Sequence, residues 1–164
     1  MKLSTFVLLL IVISTPLFAK NLPEYKDYPA VQDFHGKPVS PVLSSSKARM
    51  MRTQLRQEAS SGPNFAGHFT LARWGCGAGC VSWAIIDARS GKVWFAPFLV
   101  TDVTGATTLR DPECGQHSMD FRIDSELIVV NGSVDPDGEN AGTYYYRWHD
   151  GSLTLLYSKE CDEK

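Results

Sequence analysis

Apolar residues recur along this chain with two different periods, one typical of a helix and the other typical of strands. Across Lys47–Ala59 they stand three or four positions apart, which predicts one amphipathic helix. Ser45 or Ser46 is its predicted N-cap, and the run Ser60-Ser61-Gly62-Pro63 ends it. Beyond this run apolar and polar residues alternate, so the rest of the chain is predicted to form strands.

Seven segments carry the alternating pattern, and most are joined by short turns. Gly91 and the Asp150-Gly151 pair are typical of tight hairpin turns, which make neighbouring strands antiparallel. Residues 101–118 are polar and predict a long loop. The predicted fold class is α+β: a curved antiparallel β-sheet of about seven strands with one N-terminal amphipathic helix packed on it. The predicted strands are Phe69–Trp74, Val81–Asp87, Lys92–Phe98, Met119–Ile123, Leu127–Ser133, Thr143–His149 and Leu153–Tyr157.

The N-terminus has the pattern of a secretory signal peptide. Lys2 is followed by an unbroken apolar run, Phe6–Ile13, and then by Pro16 and the small residue Ala19. The run is shorter than the roughly 20 residues that a membrane span needs. We therefore expect cleavage after Ala19, export to the periplasm or the medium, and no membrane span after cleavage.

Residues 20–164 are predicted to form a single globular domain. Residues 20–45, with four prolines, are interpreted as an extended arm that lies on this domain. The whole chain has 16 Lys and Arg against 18 Asp and Glu, a net charge of −2. Because no basic cluster accompanies this balance, nucleic acid is not an expected partner.

Four cysteines in an exported chain favour two disulfides, for which three connectivities exist. Cys76 and Cys80 can close a very small ring because Gly77 and Gly79 relax the limits on the backbone. The remaining pair would then be Cys114–Cys161. The sequence also permits a zinc site in which His117 joins Cys76, Cys80 and Cys114, but export to an oxidising space argues against free thiolates. A thioredoxin-type motif would need two residues between its cysteines, where this chain has three.

His68 precedes the first predicted strand and is the histidine nearest in sequence to the cysteine pair. An enzyme that uses His68 with Cys76 or Cys80 is the alternative to a binding protein, and it requires a free thiol. Asp135, Asp137 and Asn140 offer oxygens around a glycine, as in a calcium loop. The full calcium-binding pattern is missing, and the same residue types form ordinary turns, so no metal and no cofactor is expected.

Aromatic residues are concentrated on the predicted strands. Because side chains alternate between the faces of a strand, Tyr145 must face opposite to Tyr144 and Tyr146. Most of these aromatic residues are expected in the core, and an exposed set could bind a sugar or a protein. The tryptophans on predicted strands are Trp74, Trp83, Trp94 and Trp148.

Residues 62–95 resemble a family of small exported proteins of Gram-negative bacteria. The shared features are F-A-G-H at 65–68, W-G-C-G-x-x-C at 74–80 and the D-x-x-x-G-K hairpin at 87–92. This resemblance implies the compartment and a common fold. The chain is also similar to the periplasmic inhibitors of vertebrate lysozyme, in which a disulfide-closed loop precedes a hairpin and enters the active site of the enzyme. Those inhibitors place charged residues and a histidine in the loop, where this chain has Gly77-Ala78-Gly79.

Together these patterns predict an exported, non-enzymatic binding protein, an inhibitor or an envelope interaction module. Its contact surface is expected at the disulfide-closed loop 75–80. The partner is unknown, and an envelope or secreted protein is the expected class. The candidate binding residues are His68, Trp74, Gly75, Gly77, Ala78 and Gly79.

Overall fold

The computed structural model of the protein describes residues 21–77, 79–102, 118–134 and 141–161. These residues form one turn of 3₁₀ helix at Tyr25–Asp27, two α-helices and eight β-strands. The predicted signal peptide, Ala78, Cys114, His117 and the turn at 135–140 lie outside them. The elements are α1 (Ser46–Met50), α2 (Arg52–Ser60), β1 (Phe69–Gly77), β2 (Cys80–Asp87), β3 (Val93–Phe95), β4 (Val100–Thr101), β5 (Ser118–Phe121), β6 (Leu127–Ser133), β7 (Ala141–His149) and β8 (Ser152–Glu160).

All the strands belong to one open antiparallel sheet with the order β1-β2-β4-β6-β7-β8. β3 pairs with β2, and β5 pairs with β6. The short β4 joins the two parts of the sheet, because Val100 pairs with Val81 of β2 and Thr101 pairs with Ser133 of β6. The sequence predicts about seven strands and misses β4, because two residues are too few to display an alternating pattern.

The larger hydrophobic core lies between β1–β2 and β5–β7. On β7, Tyr144 and Tyr146 are buried in it, whereas Tyr145 faces the other side of the sheet and is half-buried. The alternation predicted for these three tyrosines is therefore confirmed. The fully and largely buried strand residues of this core are Leu71, Trp83, Ile85, Val100, Met119, Ile128, Val130, Tyr144, Tyr146 and Trp148.

The helices cover the opposite face of β1 and β2. Leu55 and Ala59 of α2 pack with Ala72, Ala84 and Ile86 in a second cluster. The prediction of one continuous helix is wrong in one respect. Met51 has a ψ of 16°, outside the helical range, and separates α1 from α2. Helical backbone hydrogen bonds are present on both sides of Met51, from Met51 N–H to the carbonyl of Lys47 and from Leu55 N–H to the carbonyl of Met51. The two helices therefore follow one another closely. No helix in the described ranges has the length and apolar character that crossing a membrane requires.

The N-cap and the predicted hairpin turn are formed by the expected residues. Ser45 accepts a hydrogen bond from the backbone N–H of Ala48 at 3.0 Å, as an N-cap does. Asp150 and Gly151 have φ values of 51° and 76°, the positive pair that a tight β-hairpin turn requires. On β8, Leu156 is an extra residue between the pairs Tyr145–Tyr157 and Tyr146–Leu155, which makes a β-bulge.

The segment 21–45 lies along the sheet. Ala30 N–H donates to the carbonyl of Asp124 at 2.8 Å, and Glu126 N–H donates to the carbonyl of Tyr28 at 2.8 Å. Farther along, Val42 N–H donates to the carbonyl of Gly91 at 2.7 Å. The arm is thereby fixed at the loop before β6 and at the turn between β2 and β3.

Candidate functional site

The β1–β2 hairpin ends in a tip that is closed by the Cys76–Cys80 disulfide. Pairing between the strands continues to Gly77 and Cys80, and Cys76 is the extra residue of a β-bulge in β1. The two Cα atoms of the disulfide are 5.2 Å apart. The predicted disulfide between Cys76 and Cys80 is thus present. The predicted loop 75–80 consists mostly of residues that pair between β1 and β2.

Glycine is required at two positions of the tip. Gly77 and Gly79 have φ values of 141° and 62°, which L side chains rarely adopt. The carbonyl of Gly79 accepts a hydrogen bond from Asp102 N–H at 2.8 Å, which fixes the tip to the residue after β4. Gly75, Cys76 and Gly77 are all exposed, so this part of the tip faces solvent.

A cleft of about 680 Å³ adjoins the hairpin next to its disulfide-closed tip. Trp74 and Gly75 line it, and they bring two of the predicted binding residues into one concave surface. Charged side chains come from both sides, with Glu58 on α2 and Arg73 on β1. The other lining residues are Val81, Ser118, Met119 and Asp120.

Neighbouring rings and backbone hold the two large side chains of this cleft. Trp74 contacts Phe95 edge to face, with ring centroids 6.3 Å apart. The guanidinium of Arg73 lies over the ring of Phe121, 5.1 Å from its centroid, and donates to the carbonyl of Met119 at 3.4 Å. Both side chains are thus positioned by packing before any partner arrives, which lowers the ordering cost of binding.

His68 does not belong to this surface. It precedes β1, whereas Cys76 lies near the other end of the strand, so about 26 Å separates them at about 3.3 Å per residue. The His68 ring instead lies against Phe69, and its Nε2 atom is 3.8 Å from Asp87 Oδ1. Burial, followed by the charge of Arg89, lowers the pKa of His68, and Asp87 and Asp33 oppose this shift.

The arrangement required for a Cys/His enzyme is therefore not formed. Both candidate nucleophiles, Cys76 and Cys80, are consumed in the disulfide and lie far from His68. The same bond removes two of the four ligands of the zinc hypothesis. Cys161 is also disulfide-bonded, and its predicted partner Cys114 lies outside the described residues. Within the described ranges, no three His, Cys, Asp or Glu side chains come together as a metal site.

A separate cleft of about 400 Å³ contains His68 and also His149, which the sequence analysis does not single out. His149 Nδ1 is 3.0 Å from Glu126 Oε1, and Arg147 donates to Glu126 Oε2 at 2.8 Å. Arg147 and His149 are two residues apart on β7, so strand alternation places them on one face. That spacing is the sequence signal that could have identified the pair, whereas Glu126 comes from a different part of the chain.

No family model, curated protein or solved structure matches this chain.

Proposed function

We propose that this protein is an exported, non-enzymatic binding protein and that it contacts its partner through the disulfide-closed tip of the β1–β2 hairpin and the adjoining cleft. The observation that carries the proposal is the closed, exposed tip beside a cleft lined by Trp74 and Gly75. A backbone-rich tip fits a narrow recess in a partner better than a flat surface does. The disulfide supports this role because it limits the freedom that glycines otherwise lose on binding.

The proposed location is the periplasm or the medium of a Gram-negative bacterium. The N-terminal pattern that ends at Ala19 supports export, and a disulfide fits an oxidising compartment. The proposed partner class is accordingly an envelope or secreted protein. Lysozyme is the first specific candidate to test, because the short disulfide-closed segment followed by strands is similar to that of the lysozyme inhibitors.

The variant Gly75→Arg tests the proposal directly. A Cβ on Gly75 meets nothing within 4 Å, so the hairpin has room for a side chain at this position. We expect the free energy of unfolding to change by less than about 0.5 kcal/mol. Binding should fall at least about tenfold, because a bulky charge then projects from the contact surface. The measurement is quantitative capture of proteins from an envelope extract, with inhibition of lysozyme at micromolar protein assayed in parallel.

Two controls separate the effect of position from the effect of charge. Gly75→Ala adds only a methyl group at the same site and should bind like the unaltered protein. Val31→Arg adds the same charge on the arm, where the native side chain is 77% exposed. Equal capture by all the variants would show that the tip is only a connection between two strands.

A further inference from the structure

A third cleft, of about 720 Å³, lies where the arm crosses the outer face of β5–β7. Asp120, Val129 and Tyr145 are successive cross-strand neighbours on β5, β6 and β7, and they form one row across its floor. Tyr157 on β8 continues this row, and its ring centroid is 5.9 Å from that of Tyr145. Tyr25 of the arm supplies a third tyrosine on the wall of the cleft.

Ser125 and Arg122 hold Tyr25 of the arm in place. Ser125 is buried, and its hydroxyl oxygen lies 2.9 Å from the carbonyl oxygens of both Tyr25 and Tyr28. The guanidinium of Arg122 lies over the Tyr25 ring, 4.2 Å from its centroid. These contacts fix the wall of the cleft, and small-molecule sites are usually largely pre-formed in this way.

The charges of the cleft balance. Glu24 and Lys26 form an ion pair at 2.6 Å on the arm, and Asp120 of β5 and Arg122, which directly follows β5, also line the cleft. Two carboxylates and two cations line the space, so the cleft has no net charge with which to attract an ion. The Tyr25 phenol, whose ordinary pKa of about 10 already keeps it protonated at neutral pH, can donate a hydrogen bond, and burial and the Asp120 carboxylate raise this pKa further.

We infer that this cleft binds a short, uncharged oligosaccharide. A sugar ring has an apolar C–H face that packs on an aromatic side chain and a rim of hydroxyls that bond to charged and phenolic groups. Tyr145, and the face of the Tyr25 ring that Arg122 does not cover, supply the first kind of contact. Asp120, Arg122 and the Tyr25 hydroxyl supply acceptors and donors for the second. Further sugar residues of the oligosaccharide would extend along the row from Tyr145 toward Tyr157.

The test is an amide NMR titration of the full mature protein with chitotriose and with maltotriose. A parallel titration uses trialanine with acetylated and amidated termini, an uncharged peptide, as the comparison ligand. At least one saccharide should bind with a dissociation constant below about 10 mM, which is in the range of weak small-ligand sites. The shifted amides should cluster at residues 24–26, 120–122 and 145. The inference is wrong if neither saccharide shifts these amides at that concentration, or if trialanine binds there more tightly than both.

Variants then assign the site; because Asp120 lines both this cleft and the cleft beside the hairpin tip, Tyr25→Leu is the variant that distinguishes the two. Asp120→Asn should weaken saccharide binding about tenfold, because a charge-assisted hydrogen bond becomes a neutral one. Tyr25→Leu removes the flat ring and the hydroxyl while keeping an apolar side chain, and it should weaken binding by at least the same factor. Asp124→Asn alters an exposed carboxylate that does not line the cleft and should leave affinity within twofold. Equal affinities for all three variants, or shifts confined to residues 74–81, would overturn the assignment.

Discussion

At the scale of single residues, His68 lies in an environment in which burial and nearby charges oppose each other. Burial and Arg89 lower its pKa below the usual 6.5, while Asp87 and Asp33 raise it, and the net shift is downward. Between the folded pKa and 6.5 the unfolded chain therefore binds more protons than the folded chain. The contribution of His68 to stability is thus fully present above pH 6.5 and is lost as the pH falls through the folded pKa.

We therefore predict that an NMR titration of the imidazole gives a pKa for His68 below 6.5 in the folded protein. In the Arg89→Gln variant this pKa should rise, because a positive charge that disfavours the imidazolium is removed. Asp33→Asn should move the pKa in the opposite direction. A native value at or above 6.5, or a fall in Arg89→Gln, would contradict this account.

At the scale of secondary-structure elements, the disulfide is predicted to stabilise the β1–β2 hairpin by a modest amount. The bridge spans a sequence separation of 4, and in the chain-entropy model so short a loop contributes about 2 kcal/mol. The Cys76→Ser/Cys80→Ser double variant should therefore lose about that much free energy of unfolding in urea titrations.

The reference for this prediction is the longer Cys114–Cys161 bridge expected from the sequence. Its replacement by serines should cost more, about 4 kcal/mol, because a longer loop restricts the unfolded chain further. The opposite ranking of the two double variants would mean that strain or denatured-state structure outweighs loop length here.

Local patterns were enough to locate most elements of this fold. The predicted bounds of β6 match the structure, and β2 and β7 differ from prediction only at their starts, because alternation and turn residues are local signals. β4 and the bulges at Cys76 and Leu156 left no such signal, because they depend on pairing between distant segments. The interruption at Met51 was likewise not visible in a helical period that continues through it.

The candidate sites were predictable only where their residues are close in sequence. Trp74 and Gly75 adjoin the cysteine pair, and both line the cleft beside the hairpin tip. The sequence groups His68 with them because it is near the cysteine pair along the chain. Because β1 is extended, however, His68 lies at the opposite end of this strand from Cys76. The saccharide cleft joins Tyr25, Asp120 and Tyr145, whose proximity follows from strand order and arm docking.

At the scale of the whole molecule, substitution at Gly67 is predicted to disturb the docking of the arm. Its φ is 80°, and a Cβ there would overlap the carbonyl oxygen of Val31. Gly67→Ala should therefore lower the free energy of unfolding by about 3 kcal/mol, from backbone strain and displacement of the arm together. Urea unfolding followed by tryptophan fluorescence measures the loss, and hydrogen exchange at Ala30 and Glu126 reports the displacement of the arm.

Gly62→Ala is the matched control for Gly67. It has a similar φ of 86°, but a Cβ would meet nothing within 4 Å. The loss here should be about 1 kcal/mol, the cost of a left-handed conformation alone. Equal losses in the two variants would show that the close contact with Val31 does not hold the arm.

The bulge in β8 has a consequence for how copies of this protein behave beside one another. β8 is the last strand in the described sheet order, and a long, flat terminal strand is a template on which another chain can add its own strand. The extra residue Leu156 breaks the regular spacing of the backbone midway along β8, and Lys159 and Glu160 place charges at its end. A strand from another molecule therefore meets an edge with irregular hydrogen-bonding groups and charged side chains. Such an edge disfavours edge-to-edge aggregation of this β-rich protein.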